Sequence, residues 1–188
     1  SVCGIGHITK IDTSDLPIKI AGEVKDFNPE EYGIERGFIR RNDMFTVYAM
    51  AAAAQAMSGV EKGAFDPERL GVYVGSGIGG FDTMIRETRK CYDEGSKWVS
   101  PHFIPSMISN IASGNIAIKY EACGVCLPIV TACATGTHSI GEAYRAIKHG
   151  YADAIIAGGT ESAINQLGIA GFANCKALSR AEDPALAS

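Results

Sequence analysis

The feature that most constrains the fold is a pair of short segments, Gly71-Val72-Tyr73-Val74 and Ala154-Ile155-Ile156-Ala157. Each is apolar along its length rather than at alternate positions, which predicts strands buried on both faces. Both run straight into glycine: Gly75-Ser76-Gly77-Ile78-Gly79-Gly80 after the first, Gly158-Gly159-Thr160-Glu161 after the second. A third apolar run, Leu127 to Thr131, reads as a strand feeding Ala132-Cys133-Ala134-Thr135-Gly136-Thr137, which opens a helix reaching His149. Helical stretches from Asn42 to Met57, Phe81 to Glu94 and Ser106 to Tyr120 lie between the strands. Strands of this kind alternating with helices imply an α/β fold with a covered sheet.

Local signals refine this reading. Asn42 or Asp43 suits the N-cap of the first long helix, and Gly59 its stop. The alanines at its centre favour helix and let neighbouring elements approach closely. Lys148 and His149 suit a last helical turn, with Gly150 as the C′ residue. Pro17 to Val24 reads as a strand with Ile18, Ile20 and Val24 on one face and a break at Gly22. Asn28 to Gly37 is polar and turn-rich, Pro101 and Pro105 bracket an extended piece, and Arg180 to Ser188 is polar without a terminating element.

The chain has 188 residues, 46% of them hydrophobic, enough for one domain or part of one with a substantial core. Its 17 basic and 21 acidic residues give a formal charge of −4, which offers no broad basic field to nucleic acid or a membrane surface. The six cysteines are irregularly spaced in a long apolar chain, the pattern of a reducing compartment rather than a disulfide framework. Ser1-Val2-Cys3-Gly4 lacks the features of a signal peptide, and the longest apolar run, Ala49 to Met57, is too short to span a bilayer. A soluble, intracellular protein is expected, with a start that is not Met and so reads as trimmed.

Cys133 is the sharpest chemical feature. A cysteine at the start of a helix meets free backbone N–H groups and the positive end of the helix dipole, both of which favour a thiolate. Ala132, Ala134 and Gly136 leave room for a substrate, and the Cys133 backbone N–H could serve as half of an oxyanion hole. A buried structural cysteine, behaving as a small hydrophobe, fits the same spacing.

The stretch Val130-Thr131-Ala132-Cys133-Ala134-Thr135-Gly136-Thr137-His138-Ser139-Ile140-Gly141-Glu142-Ala143 resembles the nucleophile segment of elongating β-ketoacyl-[acyl carrier protein] synthases, the class-II condensing enzymes of the thiolase superfamily. The glycine-rich run 75–80, Phe103-Ile104-Pro105-Ser106-Met107, Ala157-Gly158-Gly159-Thr160-Glu161, and Gly171-Phe172 through Ala177-Leu178-Ser179 follow in that family's order and spacing. The resemblance covers the whole chain as one partial domain, 1–188. It implies the amino-terminal half of a thiolase-like fold, layered α/β/α, without the family's first strand and helix and without its carboxyl-terminal half, which carries two catalytic histidines.

For function, the resemblance implies an acyltransferase of fatty-acid biosynthesis. An acyl group passes from a carrier-protein thioester to Cys133. Malonyl-carrier protein then loses carbon dioxide, and its carbanion attacks the acyl-Cys133 thioester. No metal and no cofactor is implied. Ile78, Phe81, Phe103, Ala132 and Phe172 match residues lining the acyl pocket; the residue matching Phe103 reaches in from the other subunit of a homodimer. Arg40 and Arg41 match basic residues facing acidic acyl carrier protein. The expected setting is bacterial cytoplasm, or an organelle in a eukaryote. A fragment of this kind is expected to be inactive alone. The alternatives are a polyketide-type ketosynthase or thiolase on the same fold, or a non-catalytic partner or dimerisation module.

Other motifs read as structure. Gly75 to Gly80 satisfies G-x-G-x-x-G, but the stretch about twenty residues on, Lys90 to Gly95, reads as a helix end rather than a strand closing on an acid. The glycines instead let backbone pass close to the pocket. Cys123-Gly124-Val125-Cys126 has no second pair for zinc and lies between a helix and a strand rather than at a helix start. His138, five residues after Cys133, is not aimed at the sulfur by helical spacing, and reads as a packed or half-exposed helix residue. His149 belongs to the helix end.

Overall fold

The computed structural model describes residues 3–187; Ser1, Val2 and Ser188, the ends of the expected domain, lie outside the described residues. In chain order it contains β1 (Gly6–His7), β2 (Ile20–Ala21), α1 (Arg36–Arg41), α2 (Met44–Ala56), β3 (Leu70–Gly75), α3 (Phe81–Asp93), α4 (Phe103–Met107), α5 (Ile111–Lys119), α6 (Thr135–Lys148), β4 (Ala154–Gly159) and α7 (Gln166–Asn174), with short 3-10 turns between them. Two compact units form: one spans Asn28–Ser162, and the other joins the segment ending at Phe27 to the segment beginning at Ala163.

In the larger unit, β3 and β4 pair in parallel, with Leu70 opposite Ala154 and Gly75 opposite Gly159. All six residues of β3 are buried, as their unbroken apolar run requires. Tyr73 packs with Ala143 and Ala146 of α6 and with Ile155 and Ala157 of β4. The pleat turns Val72 and Val74 to the opposite face, where α5 and α2 pack. The strand pair therefore lies between α6 and the α2–α5 pair. The small side chains at 143 and 146 let α6 settle close to the sheet. Phe45 of α2 is fully buried, a burial that stabilises by about 2 kcal/mol.

Polar side chains fix the element ends. Asp43, buried, caps α2 by accepting from the Phe45 N–H (3.3 Å) and also accepts from the Thr83 N–H in the first turn of α3 (2.8 Å). One carboxylate thus serves two helix starts. Arg69 joins the entries of β3 and β4 through Asp153 (2.6 Å) and the Gly150 carbonyl (3.0 Å).

In the smaller unit, β1 and β2 pair antiparallel, and Ile8, Leu16 and Ile18 form a core with Ile169 and Ala173 of α7. Glu23 accepts from the N–H groups of Thr9 and Lys10 and from the Thr9 hydroxyl.

Five local expectations are corrected. β4, read as buried on both faces, is only half-buried over Ala154–Gly158 and exposed at Gly159. The strand read over 17–24 is ordered as β only at Ile20–Ala21; Ile18 and Ile20 are buried, but Val24 is exposed. The piece between Pro101 and Pro105 is not extended, because α4 begins at Phe103, and the single helix read over 106–120 divides into α4 and α5. The Leu127–Thr131 run does not extend the sheet beyond one parallel bridge, between Cys126 and Val72, and the Leu127 N–H bond to the Val72 carbonyl (2.9 Å). Leu127 and Val130 are left exposed.

Candidate active site

Cys133 stands in a 3-10 turn, Ala132–Ala134, that runs directly into the 14-residue α6. The turn is tied at both ends: the Thr131 N–H donates to Thr135 Oγ1 (2.9 Å), and the Ala134 N–H donates to the Thr131 carbonyl (3.0 Å). Ala132 adopts φ +51°, a left-handed conformation that costs a non-glycine residue about 1–2 kcal/mol. Its neighbours must hold it there. The kink turns the chain from the extended 127–131 segment into the helix and leaves the Cys133 side chain exposed just ahead of the α6 amino end. The reading of Cys133 as a buried structural cysteine is not met.

Glycines set how closely the surrounding backbone packs. A Cβ on Gly75 would fall 1.9 Å from the Ile129 carbonyl oxygen and 2.6 Å from the Thr135 methyl, so the end of β3 lies directly beneath the Cys133 turn. A Cβ on Gly159 would stand 2.8 Å from Gly136 Cα. Gly79, at φ +81°, and Gly80 press on the backbone of Ser106, Met107 and Ser109, and the Gly80 N–H donates to the Met107 carbonyl (2.9 Å). The glycine-rich run after β3 is therefore wedged between the end of α4 and the Cys133 segment. This is the close backbone passage its composition predicted.

The candidate pocket residues fall on different elements. Ile78 lies in that loop, 39% exposed. Its neighbour Gly77 lies next to Ala132: a Cβ on Gly77 would make an ordinary 3.5 Å contact with the Ala132 carbonyl oxygen. Phe81 and Phe103, both half-buried, are the first residues of α3 and α4, which pack on each other. Phe172 is half-buried on α7, in the smaller unit. Arg40 and Arg41 end α1 and share a cleft of about 340 Å³ with Arg86, Lys90, His102 and Phe103. The structure thus brings Gly77, the residue before Ile78, beside Ala132, and Phe103 into one cleft with the arginine pair.

His138 Nδ1 lies 3.3 Å from Thr131 Oγ1 and its Nε2 3.8 Å from Glu142, with the side chain 46% exposed. This is the half-exposed helix residue its spacing implied. His149 is the C-cap of α6.

Glu161 has a role that local sequence reasoning missed. Its carboxylate accepts from the Ser76 hydroxyl (3.1 Å) and from the N–H groups of Gly77 (2.9 Å) and Ile78 (3.2 Å). Burial pushes its carboxyl above the ordinary range, against the opposing pull of these donors. The signal in the sequence is an acidic residue closing the glycine end of an apolar strand, with another glycine-rich strand end to bond.

The family model described as Beta-ketoacyl synthase, N-terminal domain, matches residues 2–188. The chain belongs to this family. A 3-oxoacyl-[acyl-carrier-protein] synthase 2 of Staphylococcus aureus (strain N315) is 44% identical over 184 residues, covering 97% of this chain and 44% of the relative. The enzyme of the same name from Coxiella burnetii (strain RSA 493 / Nine Mile phase I) is 46% identical over 188 residues, covering 98% of this chain and 45% of the relative. The ketoacyl synthase chain therefore spans less than half the length of these curated relatives. Among solved structures, the ishigamide ketosynthase/chain length factor superposes with a TM-score of 0.80 at 24% identity, over 94% of this chain and 44% of that one. A beta-ketoacyl synthase from Burkholderia phymatum STM815 gives 0.73, also at 24% identity over 94% and 44%. These likenesses show the thiolase-like fold that the motifs implied.

Proposed function

We propose that Cys133 is the acyl-accepting nucleophile of a decarboxylative condensing enzyme of fatty-acid biosynthesis, of which this chain forms the amino-terminal part. The single observation that carries the reading is the exposed sulfur of Cys133 at the kinked entry to α6, within a segment whose relatives are 3-oxoacyl-[acyl-carrier-protein] synthases.

The chemistry balances at that sulfur. The thiolate attacks the carbonyl of an acyl thioester, and the carrier thiol leaves. Malonyl-carrier protein loses carbon dioxide, and the carbanion attacks the carbonyl of acyl-Cys133. The C–S bond breaks, restoring the thiolate and releasing a β-ketoacyl carrier protein two carbons longer. In this reading the Cys133 backbone N–H supplies half of an oxyanion hole for the developing charge.

Ile78, Phe81, Phe103 and Ala132 line the acyl pocket in this reading, and Arg40 and Arg41 meet acidic carrier protein. The cleft that holds both arginines is lined also by Arg86 and Lys90, which pair with Glu87, and the excess of basic groups there supports the docking assignment. A homodimer, with Phe103 serving the neighbouring subunit's pocket, and a cytoplasmic setting complete the proposal.

The test is a condensation assay on the full-length protein with acyl- and malonyl-carrier protein. Loss of β-ketoacyl product in Cys133→Ala supports the reading; wild-type turnover in that variant contradicts it.

A further inference from the structure

Glu161 lies at the centre of a hydrogen-bond network that no step of the proposed chemistry uses. Its backbone is anchored from behind: the Thr160 N–H donates to the Gly75 carbonyl (3.0 Å) and the Thr160 hydroxyl to the Phe45 carbonyl (2.6 Å). From this base its two oxygens divide their work. Oε1 takes the Ser76 hydroxyl, and Oε2 takes the Gly77 and Ile78 N–H groups. Ser76 is fully buried, and its own oxygen accepts from the Gly79 N–H (2.9 Å). Every residue from Ser76 to Gly79 is thus held, directly or through one hydroxyl, by a carboxylate more than eighty residues away in sequence.

Gly77 is the thin point of this arrangement. A Cβ there would lie 2.8 Å from Glu161 Oε2 on one side and 3.5 Å from the Ala132 carbonyl oxygen on the other. The turn held by the carboxylate therefore lies next to the residue that precedes Cys133. Ala132 is itself in a conformation that needs support from its surroundings.

We propose that Glu161 is a positioning residue: it clamps the Ser76–Gly79 turn against Ala132, and so sets both the Cys133 turn and the wall that Ile78 contributes to the acyl site. The inference rests on Cys133 being the acyl acceptor, but the clamp has a readout of its own. Removing the carboxylate leaves two backbone N–H groups and a buried hydroxyl without partners, while Glu161→Gln keeps one acceptor oxygen.

The experiment compares wild type, Glu161→Ala, Glu161→Gln and Ser76→Ala in the full-length protein. Two quantities are read: amide hydrogen exchange at Gly77 and Ile78, and the rate of Cys133 acylation by a long-chain acyl thioester. In Glu161→Ala, exchange at the two amides is expected to quicken by at least about fivefold. Acylation is expected to slow by roughly a hundredfold through misplacement of the site. Glu161→Gln is expected to recover most of both. Unchanged exchange and unchanged acylation in Glu161→Ala would overturn the proposal. If that variant fails to fold, Ser76→Ala decides instead: faster exchange at Gly79, which loses its acceptor, and slower acylation are expected, and no change in either would overturn the proposal. If wild type shows no acylation, the reading of Cys133 fails, and amide exchange still decides for or against the clamp.

Discussion

Gly136 and Gly159 meet backbone to backbone: a Cβ on Gly159 would lie 2.8 Å from Gly136 Cα, which places the first turn of α6 on the last residue of β4. The reverse substitution is different. A Cβ on Gly136 would lie 3.5 Å from the Gly159 nitrogen, an ordinary contact, and Gly136 is inside a helix.

This asymmetry predicts opposite outcomes at the two glycines. Gly159→Ala forces the start of α6 away from the sheet, at a cost of about 1–3 kcal/mol, and displaces the Cys133 turn. Gly136→Ala is neutral or stabilises by up to about 1 kcal/mol through helix propensity. Urea unfolding of the two variants checks the ordering; equal destabilisation would refute it.

Glu87 and Glu23 both contribute to the acid limb of stability. Burial raises the pKa of Glu87, yet the Ser100 N–H, Arg86 and Lys90 together outweigh it and hold the carboxyl below the ordinary range. Glu23 behaves alike: burial raises it, and the bonds from Lys10 and Thr9, with Lys25, prevail. A carboxyl whose folded pKa lies below its unfolded value stabilises the fold above the unfolded value. That stability is lost as pH falls through the folded one. Stability should therefore decline on acidification below about pH 4.3, the ordinary Glu value. Glu87→Gln should lower stability at pH 7 and have a smaller effect near pH 3. Denaturant midpoints measured at both pH values test this.

The arginine pair predicts a salt-sensitive interaction. Arg40→Glu with Arg41→Glu should weaken binding of acyl carrier protein by about tenfold or more at low salt, with the difference shrinking as ionic strength rises. Binding titrations at two salt concentrations decide it, and equal affinity at low salt would remove these residues from the docking surface.

Much of this arrangement was legible in the sequence because its signals are local. An alanine-rich run preceded by Asn42-Asp43 specifies α2 and its cap, and the all-apolar 71–74 segment specifies a buried strand; the 154–157 segment also forms a strand, but a half-buried one. Signals that act at a distance were not legible. The 127–131 run has strand composition but finds only a single bridge to β3, because its backbone must break away at Ala132 to reach α6. Pro105, with Pro101, suggests an extended piece; it is instead the third residue of α4, where its missing N–H would have had no intrahelical acceptor. Cys133 could be named from its motif. The partners of Glu161 could not, because Gly77 and Ile78 are 84 and 83 residues away and meet it only once β3 and β4 are paired.

The most direct test of the account is the chemical fate of the Cys133 sulfur. The full-length protein is incubated with a long-chain acyl-carrier thioester, digested with trypsin, and the Tyr120–Arg145 peptide, which also contains Cys123 and Cys126, is sequenced by tandem mass spectrometry. The account predicts one acyl group, on Cys133, that is absent from Cys133→Ala and is released when malonyl-carrier protein is added. An unmodified Cys133, or acylation at Cys123 or Cys126 in its place, would contradict it.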